Sequence, residues 1–212
     1  MNRWTDITAK ALSILLYPLF VPTYGVALFC YAYAQRVVYM PLAWVLVAVI
    51  GTFVLTCLLP VTAIAIMMRR GQVSDFQITN AEERTMPYIY SILGFGFWCY
   101  LVIAILHAPA SIGFVAVGAT VAITMVAWVN RRWKISAHLT GLGGMIGGML
   151  SYYMGIGLMP SWGALSQWFL LTVVLMYARV HLDAHTPAQV CAGWLLGLAC
   201  TFIPYCIYLY VA

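Results

Sequence analysis

The chain reads as all-α, a polytopic membrane helical bundle with six or seven transmembrane helices, and three observations predict this. First, 65% of its 212 residues are hydrophobic and 7% are charged, whereas a soluble domain needs roughly 25% charged residues to wet its surface. Second, the apolar residues fall into runs that approach the ~20 needed to cross ~30 Å of hydrocarbon. Third, only short polar segments separate the runs, and none resembles a soluble domain or a flexible linker. Residues 1–212 therefore read as a single integral membrane domain.

The runs lie at about 11–33, 42–67, 88–106, 109–129, 139–158, 163–178 and 189–211. The first follows Arg3 and Lys10 and ends in "AYA", the outline of a signal peptide. It is long and broken by Pro18 and Pro22, so a retained first helix is expected, kinked or partly re-entrant. The run 163–178 is short for a span. The run 139–158 opens "LTGLGGMIGGML", placing Gly143 with Gly147 and Gly144 with Gly148 at GxxxG spacing, where small residues let a neighbouring helix approach. Gly141 alone adds room for a ligand beside the backbone. Cys30, Cys57, Cys99, Cys191, Cys200 and Cys206 sit in or at the edge of apolar stretches with no CxxC pair, and are expected as small buried side chains.

If every run crosses, the segments 68–87, 130–138 and 179–188 share one face with the N-terminus. The net charge of +5 is spread over these short segments, which favours membrane lipids or an anionic substrate over nucleic acid. With Arg84 and Arg179 set aside, that face still has Arg3, Lys10, Arg69, Arg70, Arg131, Arg132 and Lys134 against Arg36 opposite. The count leans this face toward the cytoplasm, in what is expected to be a bacterial inner membrane.

Each polar segment brings chemistry to a helix end. In "MMRRGQVSDFQITNAEERTMPY", Arg69 and Arg70 read as interfacial, while Arg84 stands beside the start of a helix with Pro87 in its first turn. A guanidinium beside free helix N–H groups suits an anion. In "NRRWKISAHLTGLGG", Ser136, Ala137 and His138 precede a glycine-rich helix and offer a hydroxyl, backbone N–H groups and an imidazole. In "ARVHLDAHTPAQVCAG", Arg179 comes six residues before His185, and Pro187 opens the last helix. His181 and His185 have the i, i+4 spacing of a metal pair but no third ligand in their segment, so no metal or other cofactor is expected. Ionisable groups at membrane depth are costly unless they serve a site, and together the three segments outline one for an anion.

The order Arg84, Ser136-Ala137-His138, then Arg179 with His185 six on resembles the type-2 phosphatidic acid phosphatase and vanadium haloperoxidase superfamily, in its integral membrane lipid phosphatase branch. The resemblance covers residues 77–193 and rests most on the third segment. It implies one phosphatase-like domain, a role in phospholipid metabolism and a lipid phosphate or diphosphate substrate. It also implies His185 as the nucleophile on phosphorus, His138 as the acid that protonates the leaving group, and Gln189 at the position that orients His185. Arg84, Arg179, Ser136 and the Ala137 amide would bind phosphate. The chain departs from the pattern at Gln77 (lysine expected), Thr85 and Ile135 (both proline) and Gln189 (aspartate). A glutamine carbonyl can accept the imidazole N–H but lacks the charge that raises basicity. Lys134 and Asp183 are the residues at hand to compensate. A relative that binds lipid phosphate with little or no turnover is the alternative, and a transporter ranks behind both, because the polar groups gather at one face rather than mid-membrane.

Overall fold

The computed structural model describes residues 3–35, 39–75, 78, 80, 82–158, 160 and 162–211. Among these residues the chain is helical and has no strand. The helices are α1 (Arg3–Leu15), α2 (Val21–Ala34), α3 (Leu42–Phe53), α4 (Leu59–Arg69), α5 (Thr85–Tyr100), α6 (Ala110–Val129), α7 (Ala137–Gly155), α8 (Trp162–His181) and α9 (Pro187–Val211).

Four stretches are long and apolar enough to cross a membrane: Leu42–Arg69, Glu82–Ile105, Ala110–Val129 and Pro187–Val211. They are compatible with an integral membrane protein, and they are fewer than the six or seven expected. Glycine, serine and threonine dilute α7, and Gln167, Arg179 and His181 dilute α8. The break expected at Pro18 separates two helices of 13 and 14 residues, each only about 20 Å long. The first of the four stretches joins α3 to α4 through a wide π turn at Val54–Leu58. Pro60 has no N–H to give to that turn, and the Leu55 carbonyl it leaves faces Gly94 of α5, where a Cβ would collide.

The closest packing in the molecule joins α7 to α9. A Cβ at Gly143 would stand 2.9 Å from the Trp194 carbonyl carbon and 3.0 Å from the Leu198 nitrogen, and one at Gly147 would stand 2.8 Å from the Leu198 oxygen. Gly193 and Gly197 answer from α9: their Cβ positions fall on Ser136 and Thr140 backbone. Thus the GxxxG spacing of α7 serves packing, with a matching pair on its neighbour. Ser151 Oγ and Thr201 Oγ1 add bonds across the seam, to Thr201 O at 3.0 Å and Gly144 O at 3.1 Å.

The remaining contacts set directions. Val21 of α2 lies by Gly141 of α7, Gly25 lies by Met145, and the Phe29 and Tyr152 rings meet at 5.4 Å, so these helices run parallel. Val115 and Ser111 of α6 lie by Gly148 and Gly155, which makes α6 antiparallel to α7. All six cysteines are free: Cys30 and Cys57 are buried as expected, but Cys191 is exposed on α9.

Candidate active site

One apolar cluster fixes the helix ends that bear the candidate residues. Leu139 and Leu142 of α7, Leu175 of α8 and Val190 of α9 are all 2% exposed or less and pack together, with Leu12 and Leu16 against them. His138 precedes Leu139, Arg179 follows Leu175 by one turn, and His185 and Gln189 flank the start of α9.

Local backbone chemistry explains the six-residue spacing of Arg179 and His185. At the end of α8 the N–H groups of Ala184 and His185 both reach the Arg179 carbonyl, at 3.1 and 3.3 Å. Asp183 takes the left-handed conformation, φ +50°, that such a reversal needs. The turn folds His185 back over the helix end. Next, Thr186 and Gln189 cap α9 reciprocally: Thr186 N donates to Gln189 Oε1 at 3.0 Å and Gln189 N to Thr186 Oγ1 at 3.4 Å. This is a capping box with Pro187 at the first helical position. The T-x-x-Q spacing was legible as such in the sequence.

Ser136 is the N-cap of α7 and is fully buried, its hydroxyl accepting from Leu139 N at 3.5 Å. Its own N–H donates to the Gln189 carbonyl at 3.3 Å, tying the second polar segment to the third. Ala137 is the first residue of α7 and half-buried. Buried Asn130 braces the segment by donating to Val126 O at 3.0 Å and Ile135 O at 3.4 Å.

His185 Nδ1 lies 3.2 Å from the Lys134 carbonyl. A carbonyl can only accept, so Nδ1 carries the proton and Nε2 keeps its lone pair. Gln189 adds a smaller interaction that favours the protonated ring. The His185 ring is therefore oriented by a main-chain oxygen that no side-chain pattern could announce, with Gln189 beside it. Asp183 is exposed. His138 Nε2 likewise faces a carbonyl, that of Ser13 in α1, at 3.1 Å. Its ring meets Tyr17 edge-on at 5.4 Å. Further along α1, Asp6 pairs with His181 at 2.8 Å, so α1 is pinned to α8 and α7 beside the candidate residues.

The charges converge. Burial first, and then the fields of Arg84 and Arg179, pull the Lys134 amine below its ordinary value. Burial and then Arg179 pull His185 down to about 4 from 6.5, with Lys134 adding to the effect and the bond to its carbonyl opposing it. The charged neighbours that act on these two groups among the described residues are all cations. Arg179 is half-buried, and its Nε has no hydrogen-bond partner among the described residues. Arg84 donates through Nε to the Ile78 carbonyl at 3.0 Å, in its own segment. All three polar segments thus meet at one end of the bundle. Gln77 lies outside the described residues. Sequence reasoning missed Tyr17, Ser13, Asn130 and the Lys134 carbonyl, and no local pattern marks any of them as part of a site.

Positive charge repelling positive charge, a histidine held neutral with one nitrogen free, and an orphaned guanidinium nitrogen together suit a phosphate-sized anion. Comparisons with family models, with curated proteins and with solved structures return no match.

Proposed function

We propose that this protein is a membrane phosphatase that hydrolyses a lipid phosphate or diphosphate through a phosphohistidine intermediate. The observation that carries the reading is the meeting of His185, with Nε2 free, and the cations Lys134, Arg179 and Arg84 at one end of the bundle. His185 Nε2 attacks phosphorus, and the bond to the leaving oxygen breaks. That oxygen takes a proton that the substrate's own phosphate hydroxyl passes to His138 Nδ1, while the Nε2–H stays on the Ser13 carbonyl. Water then adds to the phosphohistidine, the bond from His185 to phosphorus breaks, and the water proton returns through His138 to the departing phosphate. Throughout, Arg84, Lys134, Arg179 and the Ala137 N–H at the start of α7 offset the charge spread over the phosphoryl oxygens.

The arrangement suits a bundle in which α7 and α8 span alongside the four long apolar stretches, six in all, with the shorter α2 packed beside α7 and α1 at the interface. The polar end would face the cytoplasm of a bacterial inner membrane, following its basic residues. A substrate headgroup then reaches the histidines from the membrane side.

The test is phosphate release by the detergent-purified chain from a panel of phosphatidic acid, phosphatidylglycerol phosphate, prenyl diphosphate and lipid-A phosphate. Release that His185→Ala abolishes supports the reading; no release from any of them by well-folded protein ends it. One observation favours a second reading, a binding relative without turnover: the Gln189 carbonyl is occupied by the Thr186 N–H and the Ser136 hydroxyl is buried as a cap. That protein would bind the same lipids saturably and release nothing.

A further inference from the structure

Behind the polar end lies a cavity of about 500 Å³, within the range of small-molecule sites. It runs beside α7 from Ala137 to Tyr153, sixteen residues and so about 24 Å. Across from α7 it is walled by α2 and by α6, from Val126 at the polar end to Ile112 at the other. Its near end is lined by Pro18 and Ala137, the chain neighbours of Tyr17 and His138. So the slot begins one residue from the candidate acid and runs away from it, apolar for most of its length.

Gly25, Gly141, Gly144 and Gly148 line it, and a Cβ at each would meet a side chain of a neighbouring helix, so these glycines set how closely its walls approach. The slot is partly open along its length and has room for extended hydrocarbon. A cationic end beside an apolar slot is the complement of an amphiphile with an anionic head and a hydrocarbon tail.

We infer that the slot seats hydrocarbon of the substrate, so that the ligand is held by its phosphate at His185 and Arg179 and by an acyl, alkyl or prenyl tail along α7. This rests on the proposed function, and it makes the protein a ruler: the slot's depth sets the tail length it favours. A tail drawn from lipid gains little on entering another apolar site, so the effect shows with water-soluble substrates.

The experiment measures kcat/KM of the full chain for n-alkyl phosphates, butyl upward, below their micellar concentrations. For the wild type each methylene adds about fourfold until the slot is filled, and then nothing. Ala119→Phe, halfway along the α6 wall, should bring that plateau to about half the length and lower the dodecyl-to-butyl ratio at least tenfold. Ile112→Trp, at the far end, should shorten the plateau only slightly. A ratio unchanged by Ala119→Phe, or equal shifts from the two variants, overturns the inference. Turnover is not needed for the second readout. In His185→Ala, a dodecyl phosphate brominated at its terminal carbon should quench tryptophan fluorescence through Trp98 and Trp168, which line the slot, and Ala119→Phe should abolish the quenching. No quenching in folded protein overturns the inference; quenching without phosphate release from any substrate by the wild type overturns the proposed function alone.

Discussion

Gly143→Ala is the smallest change that separates packing from chemistry. The added methyl would sit 2.9 Å from the Trp194 carbonyl carbon and 3.0 Å from the Leu198 nitrogen, with the Trp194 oxygen nearer still. Ordinary contact lies about half an ångström or more beyond these distances. All three atoms are backbone, so no side chain can rotate away, and α7 and α9 must part by about 1 Å. Overpacking of this kind costs about 1–3 kcal/mol, offset by less than 1 kcal/mol from the better helix propensity of alanine. A thermal scan of the detergent-purified protein should record a fall of roughly 2–12 °C. The same separation moves Ser136 and His138 away from Gln189 and His185, and a 1 Å misplacement lowers turnover by about 10²-fold. Gly96→Ala is the control, because nothing lies within 4 Å of its Cβ position. If Gly143→Ala melts with the wild type, or if Gly96→Ala proves the more damaging, the account of the α7–α9 seam is refuted.

Four further outcomes follow from the site. His185 titrates near 4 in the folded chain, below its ordinary 6.5, so kcat/KM should hold down to about pH 4 on the acid side; a limb near 6.5 would contradict the burial argument. By the same linkage the unfolded chain binds this proton at higher pH than the folded one, so this group's effect on stability is level above 6.5 and stability falls as pH drops from 6.5 towards 4, which urea titration at several pH values can follow. Arg179→Lys keeps a charge but loses the buried Nε–H, and phosphate release should drop at least tenfold with the melting temperature within a few degrees of wild type. Gln189→Asp places a carboxylate beside His185 and should both raise the rate about tenfold and move the acid limb upward; an unmoved limb would show that the Lys134 carbonyl already orients the ring.

What could be read from the sequence was set by periodicity and by chain-local spacing. The long apolar runs became helices where they were expected, and Arg179 with His185 owes its spacing to one turn of backbone that the residues themselves specify. The GxxxG pairs of α7 proved to be a packing face, as small residues at that spacing suggest. Contacts between distant segments were out of reach. Nothing near His138 announces that its ring bonds to Ser13, 125 residues earlier, and nothing near His185 announces the Lys134 carbonyl, because every residue owns a carbonyl and position alone selects this one. The count of spans exceeded the four long apolar helices because α7 trades hydropathy for close approach. The Thr186–Gln189 box is a different case: its pattern is local, and attention to Gln189 as a catalytic substitute hid its part in starting α9.

The pinning of α1 also bears on how the protein is made. Asp6 leaves the ribosome 175 residues before His181, its partner, a gap of roughly 10–35 s at ordinary rates of synthesis. Until α8 is made, α1 lacks the partner of Asp6 and can hold to α7 through Ser13 and His138. A segment made early is thus fixed late, when the end of α8 arrives beside it.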